Sequence, residues 1–196
     1  MNTIYNVDVL NHCGTVNIDT QRIQLRSFCH TDNDDMLRYW ISDPEIQSLI
    51  SEPVYSTKQE VAVLLTKYIE SYDKLDYYRW AIVLKETNEC IGQIAFFLID
   101  NKNHFGEIEY CIGKKFQRKG FATECTQALI DFGFEKIQLN KIQICHKANN
   151  LPSKRVIEKC GFKYEGTLRD FFYIYGKYVD RLYYSILRKE YKNAMR

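Results

Sequence analysis

The sequence predicts an α/β (α+β) fold: one mixed, mostly antiparallel sheet of about six to seven strands with helices on both faces. Three observations carry that expectation. Two helix-start signatures head amphipathic runs in the first third of the chain. From Tyr78 the hydrophobic period switches to two, as in strands. A small-residue turn at Gly120 then leads from such a strand into a helix-like run. At 196 residues and 45% apolar content the chain can bury one sizeable core, so a single domain is expected.

Residues 1–13 lack a clear period and read as an N-terminal tail, with the domain proper spanning 14–196. Residues 21–28 alternate, with Ile23 and Leu25 on one face, and predict a first strand. Thr31 to Asp34 has the spacing of a capping box, and Met36, Leu37, Trp40 and Ile41 follow at helical spacing until Asp43-Pro44 interrupts them. Residues 46–55 read as irregular. A second box, Thr57 to Glu60, opens a helix whose stripe is Val61, Leu64, Leu65, Tyr68, Ile69 and Tyr72. Strands over 79–84 and 90–99 pair across the turn at 86–89, and 105–112 forms the next. The helix after Gly120 turns Phe121, Cys125, Ala128, Leu129 and Phe132 inward, and a short strand follows at 141–146. Asn150 caps a helix carrying Val156, Ile157 and Cys160, which Gly161 stops. A hairpin over 162–175 and 178–187, turned at Gly176, completes the pattern.

Composition excludes several classes. The net charge of +2 gives no global argument for nucleic acid, and no aromatic-basic stripe extends beyond residues 114–119. No run reaches the ~20 apolar residues of a membrane span. Seven cysteines without a Cys-x-x-Cys pair, most of them inside apolar runs, fit a reducing compartment rather than a disulfide framework. A soluble cytoplasmic protein is expected. The four histidines show no metal-ligand spacing, so no metal is expected, and Cys111 and Cys145 read as core rather than as nucleophiles.

The most informative segment is Gln117-Arg118-Lys119-Gly120-Phe121-Ala122. A helix N-terminus leaves backbone N–H groups without partners and carries the positive end of the helix dipole. Flanked by Lys114, Lys115, Arg118 and Lys119, this one suits a phosphate or pyrophosphate. Gly120 and Ala122 let an anion approach the backbone. The residues point to a phosphorylated cofactor.

This spacing resembles the acyl-CoA pyrophosphate loop of the GNAT (Gcn5-related) N-acetyltransferases, written Gln/Arg-x-x-Gly-x-Gly/Ala. The likeness continues through Leu139 to Ile142, Asn150 to Ser153, Glu158 to Phe162, Glu165 to Asp170, Gly176 to Asp180 and Tyr184 to Leu187. Near the start, Gly14-Thr15 and Arg22 to Arg26 also match, so order and spacing agree from about residue 14 to 190. Within the superfamily the pattern is similar to the ribosomal-protein N-terminal (RimJ/RimL-type) branch.

The resemblance implies direct transfer of acetyl from acetyl-CoA to a primary amine. It implies a cofactor site formed by Cys111, Ile112, Gln117, Arg118, Lys119, Gly120, Phe121, Ala122, Thr123, Asn150 and Ser153. The strands at 107–113 and 141–146 are expected to splay, making a slot for the pantetheine arm. Asn150 matches the family Asn that contacts this arm, and it equally suits an N-cap. Many relatives protonate the leaving thiolate with a Tyr, but Ile157 stands in its place, and Ser153 matches a serine near the CoA sulfur in the ribosomal-protein enzymes. Ser153 is equally a first-turn serine that satisfies a backbone amide. Glu107 is the expected general base, with Glu109 on the same strand face; either is also at home as an exposed strand residue paired with lysine. Some relatives carry a glutamate where Phe172 stands here, with Asp170 two residues earlier on the same face.

The acceptor stays open at this stage: a protein N-terminal α-amine leads, with a polyamine or aminoglycoside-type small molecule as the alternative. A catalytically silent acyl-CoA-binding module is the competing class. A homodimer is common in similar proteins, and neither nucleic acid nor membrane is expected as a partner.

Overall fold

In the computed structural model, which describes residues 9–194, eight strands make one sheet. They are β1 (Ile18–Asp19), β2 (Ile23–Arg26), β3 (Tyr78–Leu84), β4 (Cys90–Asp100), β5 (Phe105–Ile112), β6 (Lys141–Lys147), β7 (Lys163–Ile174) and β8 (Lys177–Leu187). Their order is β1-β2-β3-β4-β5-β6-β8-β7, antiparallel throughout except where β5 runs parallel to β6. The strand beyond the expected seven is β1, two residues long and too short to show a period. Residues 1–8 of the expected tail lie outside the described part. Leu10 is buried in the core, and the amide of Asn11 donates to the Ile137 carbonyl at 3.0 Å.

The sheet separates two apolar layers. Alternate residues of β3 divide between them: Trp80 and Ile82 face one side with Leu129, Ile130 and Ile157, whereas Ala81 and Val83 face the other with Met36, Trp40, Val61 and Leu65. Because helices cover both faces, β3 is apolar or buried on almost every residue, as central strands must be. The first layer is closed by α4 (Phe121–Phe132), which continues as a wider π-type turn through Ile137, and by α5 (Leu151–Lys159). The second is closed by α1 (Asn33–Met36) with its π-type continuation to Ile41, α2 (Pro44–Ile50) and α3 (Lys58–Ser71). A final helix, α6 (Arg188–Ala194), follows the hairpin that the sequence pattern ends at 187.

Two expectations about helix starts are corrected. Thr31 does not cap the first helix. The carboxylate of buried Asp32 accepts from the Cys29 amide at 2.9 Å and is gripped by Arg26 at 2.6 and 2.8 Å, so the turn starts at Cys29. Residues 46–50, expected to be irregular, are helical in α2. Asp43 accepts from the amides of Glu45 and Ile46, and Pro44 supplies a preset first-turn φ, so the Asp-Pro pair ends one helix and starts another. The Thr57–Glu60 box is as expected: the hydroxyl accepts from the Glu60 amide at 3.2 Å and the carboxylate accepts from the Thr57 amide at 2.9 Å.

The feature that positions the site is a divergence. β5 and β6 pair only from Phe105↔Lys141 to Ile108↔Ile144. Beyond that point β6 stays with β8 as far as Lys147↔Arg181, while β5 stays with β4 as far as Ile112↔Gly92. From Glu109 onward, among the described residues, β5 and β6 are unpaired on their facing edges. A slot opens there, as the resemblance implies.

Candidate active site

At the end of β5 the chain turns through a 3-10 turn at Lys114–Phe116 into the loop before α4. The Gln117 side chain donates to the Ile112 carbonyl at 2.9 Å, tying the loop to the strand end. Arg118 at φ +61° and Gly120 at φ +87° lie in the left-handed region, which costs Arg118 energy and suits glycine. The first amide of α4 to find a backbone acceptor is that of Glu124, on Gly120. Among the described residues, the amides of 118–123 meet none, so a row of donors is left without backbone partners at the positive end of a twelve-residue helix. That is a fit for a pyrophosphate.

Of the four flanking cations, two are engaged elsewhere. Lys114 pairs with Asp43 and Glu45, both at 2.8 Å, and Lys115 approaches Glu89 at 3.5 Å. Arg118 and Lys119 remain exposed beside the loop. Cys111 and Ile112, also expected at the cofactor, are buried on opposite faces of β5. Burial pushes the Cys111 thiol up to about 12, so it stays protonated and inert.

Across the slot, Asn150 caps α5: its Oδ1 accepts from the Ser153 amide at 3.2 Å. The Ser153 hydroxyl lies 3.1 Å from the phenol of Tyr110, which reaches over from β5. Burial raises the Tyr110 phenol, opposed by its bond to Ser153, so the phenol stays protonated at neutral pH. Ile157, where a tyrosine would stand in many relatives, is fully buried in the core. Tyr110 and Ser153 thus bring two hydroxyls together at the slot, and only Ser153 was legible by spacing.

The carboxylates expected to act as bases are both paired with arginine. Glu107, 2% exposed, stands on the last stretch where β5 and β6 still pair. It accepts from Arg181 at 2.5 Å and from Gln143 at 2.8 Å. Glu109 accepts from Arg79 at 2.9 Å, and Arg79 also donates to Gln93 and lies 4.8 Å from the Tyr68 ring centre. The partners are therefore partly buried arginines rather than surface lysines.

Asp170 does not share a face with Phe172 by simple alternation. The register of β7 against β8 breaks between Leu168 and Phe172, and Asp170 sits exposed in that bulge at φ +52°. Phe172 instead carries the ammonium of Lys147 over its ring at 4.5 Å.

Two groups around the slot had no signal in the sequence. Lys147, at the end of β6, is buried and donates to the Ser48 carbonyl and to the Ser51 hydroxyl, the latter at 2.9 Å. Burial lowers its ammonium pKa, with Cys145 opposing. Glu52 is on the exposed loop after α2, yet desolvation and then the charge of Glu109 raise its carboxyl, against the pull of Arg79. Segments 48–52 and 107–109 are distant in sequence, and no periodicity links them. Among the described residues, no cluster of His, Cys, Asp or Glu is arranged to hold a metal, and no helix is long and apolar enough to cross a membrane.

Known proteins give the family and the fold. A family model described as "Acetyltransferase (GNAT) domain" matches residues 22–163. "Uncharacterized N-acetyltransferase p20" of Bacillus licheniformis is 33% identical over 172 residues, covering 88% of this chain and 96% of the relative. "Putative ribosomal N-acetyltransferase YdaF" of Bacillus subtilis is 39% identical over 101 residues, 52% of this chain and 55% of that protein. Among solved structures, a spermidine N-acetyltransferase from Vibrio cholerae in complex with CoA and spermine superposes with a TM-score of 0.75. It is 26% identical and covers 87% of this chain and 98% of its own.

Proposed function

Since the chain belongs to the GNAT acetyltransferase family, and so is an acetyl-CoA-dependent N-acetyltransferase, we propose that its acceptor is the free α-amine of a protein N-terminus. One observation carries the choice. The two carboxylates best placed to hold a polycation, Glu107 and Glu109, are each matched by an arginine, Arg181 and Arg79. Lys147 adds a buried ammonium that, among the described residues, forms no pair with a carboxylate. Even with Glu52 exposed nearby, a polyamine entering here would meet carboxylates already matched by guanidinium and ammonium groups instead of an open acidic groove. The relatives divide between a ribosomal and a spermidine N-acetyltransferase, so the choice rests on this charge pattern.

Bound at the loop, acetyl-CoA supplies an activated acetyl thioester; the chain's own residues hold it and manage protons. The amides of 118–123 and the α4 dipole grip the pyrophosphate, and Asn150 sets the first turn of α5, which presents Ser153. With the Tyr110 phenol held protonated, donation from Tyr110 to Ser153 Oγ leaves the serine proton to donate toward the departing sulfur. An α-amine with a pKa near ~7.7–8.0 is already partly neutral, so a modest base suffices. Glu107 takes that role through lone pairs not engaged by Arg181 and Gln143, by way of a water.

The test is CoA-thiol release from acetyl-CoA with short peptides bearing free or blocked N-termini, spermidine and an aminoglycoside. Turnover of free-N-terminus peptides, abolished by blocking the α-amine although a lysine is present, is the expected result. Preference for spermidine or the aminoglycoside overturns the reading. Tight acetyl-CoA binding without release above background, for every amine tried, favours a binding module instead.

A further inference from the structure

We infer that Arg22, in the turn just before β2 and outside the loop motif, is the positioning residue that aims the pyrophosphate loop. Its guanidinium binds the loop on both sides of Gly120. Nη1 donates to the Lys119 carbonyl at 2.9 Å, while Nε and Nη2 both reach Glu124 Oε2 at 2.7 Å. The plane of the group lies over the Phe121 ring, 4.5 Å from its centre. The Arg22 amide and the Thr20 hydroxyl complete the cage by donating to Glu124 Oε1 at 2.9 and 2.6 Å.

Two consequences follow from elementary geometry and charge. In a trans peptide the C=O and the next N–H point in opposite directions. Holding the Lys119 carbonyl toward Arg22 therefore turns the Gly120 N–H away from it, to the side where an anion can approach. Gly120 accommodates this plane with φ +87°, and a Cβ there would come within 3.2 Å of Arg22 Nη2. The second consequence concerns Glu124. A carboxylate in the first turn stabilises the helix but repels a phosphate bound at the same end. Arg22 cancels that charge where it would otherwise oppose the cofactor.

The inference rests on the loop being the pyrophosphate cradle, so the experiment tests both. Full-length Arg22→Lys, Arg22→Gln, Glu124→Gln in the Arg22→Gln background, and Gly120→Glu are titrated with CoA by calorimetry. The Arg22 variants are also assayed with acetyl-CoA and with S-acetylpantetheine, which lacks the pyrophosphate, against whichever amine is accepted. Arg22→Lys should weaken CoA binding about tenfold, the scale of one charge-assisted hydrogen bond. At saturating acetyl-CoA its kcat, and with S-acetylpantetheine its kcat/KM, should stay near wild type. Removing Glu124 in the Arg22→Gln background should recover part of the lost affinity, since the unneutralised carboxylate is gone. Equal losses with both donors would mean general disruption and overturn the inference, as would unchanged CoA affinity in an Arg22→Gln variant of wild-type Tm. If Gly120→Glu loses CoA but Arg22→Lys does not, only the clamp fails. If Gly120→Glu binds normally, the cradle itself is wrong and the clamp falls with it.

Discussion

Ser153 and Tyr110 form one unit: a cap residue fixes the serine backbone, and a partly buried phenol from the neighbouring strand fixes its hydroxyl. Ser153→Ala should therefore lower kcat by about tenfold to a hundredfold while CoA affinity moves little, as expected for a group that acts mainly as charge develops on sulfur. Tyr110→Phe should give a smaller loss of the same kind; parallel losses in CoA affinity and kcat would make both residues structural. The base is tested by pH. Glu107→Gln should flatten the acid limb of the kcat/KM profile, and an unmoved profile removes Glu107 from the mechanism. The Glu52 carboxyl is raised by desolvation and by Glu109, so it protonates at higher pH than an ordinary glutamate. If Glu52→Gln, and not Glu107→Gln, erases the limb, the base is Glu52. Ser153 was legible because its spacing from Asn150 is local. Tyr110 was not, because its partner lies 43 residues on, across the slot.

Single elements meet the site through their ends. α2 begins at Asp43, whose side chain caps two amides and also receives Lys114 from the turn after β5. At its other end, the Ser48 carbonyl and the Ser51 hydroxyl hold Lys147 of β6. This short helix is thus stitched to both strands that diverge at the slot. Asp43→Ala should destabilise the chain by about 1 kcal/mol, the usual cost of a lost N-cap, read as a lower denaturation midpoint at unchanged m-value. It should also weaken the acceptor more than acetyl-CoA, since α2 borders the carboxylate side while the anion loop keeps its own ties. Loss confined to acetyl-CoA KM would contradict this placement. The elements that were legible have repeated local signals: the Thr57 box, the alternation from Tyr78, the Gly120 and Gly176 turns. The hairpin turn is a two-residue one with Tyr175 at φ +48° and Gly176 at φ +78°, which suits the twist of paired strands. What escaped was set by tertiary partners: Arg26 claiming Asp32, and an Asp-Pro pair that both ends and begins a helix. The bulge that turns Asp170 out of register belongs with them.

Across the whole molecule, carboxylates that pair with a cation or cap a turn tie distant segments together. Asp43 is held below the usual range: burial raises its carboxyl, but Lys114 and the amides of Ile46 and Glu45 lower it further. Glu124 behaves likewise, with burial opposed and exceeded by Thr20 and Arg22. Glu190 is lowered by Lys163 and the Leu187 amide. Each of these groups binds its proton less readily folded than unfolded. Their contribution to stability is fully present above the unfolded values, near ~4, and drains away as pH falls through the depressed folded values. Thermal unfolding should accordingly give a flat Tm from about pH 7 to 5 and a steep decline below about pH 4.5, where protonation also leaves 27 lysines and arginines unopposed. CoA at a hundredfold excess over its Kd should raise stability by about 2.7 kcal/mol across the plateau. Arg22→Gln, which relieves part of the hold on Glu124, should show a shallower acid decline than the parent. A Tm that rises between pH 5 and 4 would contradict the carboxylate account, because it would mean that carboxyls raised on folding, such as Glu52, outweigh the depressed ones.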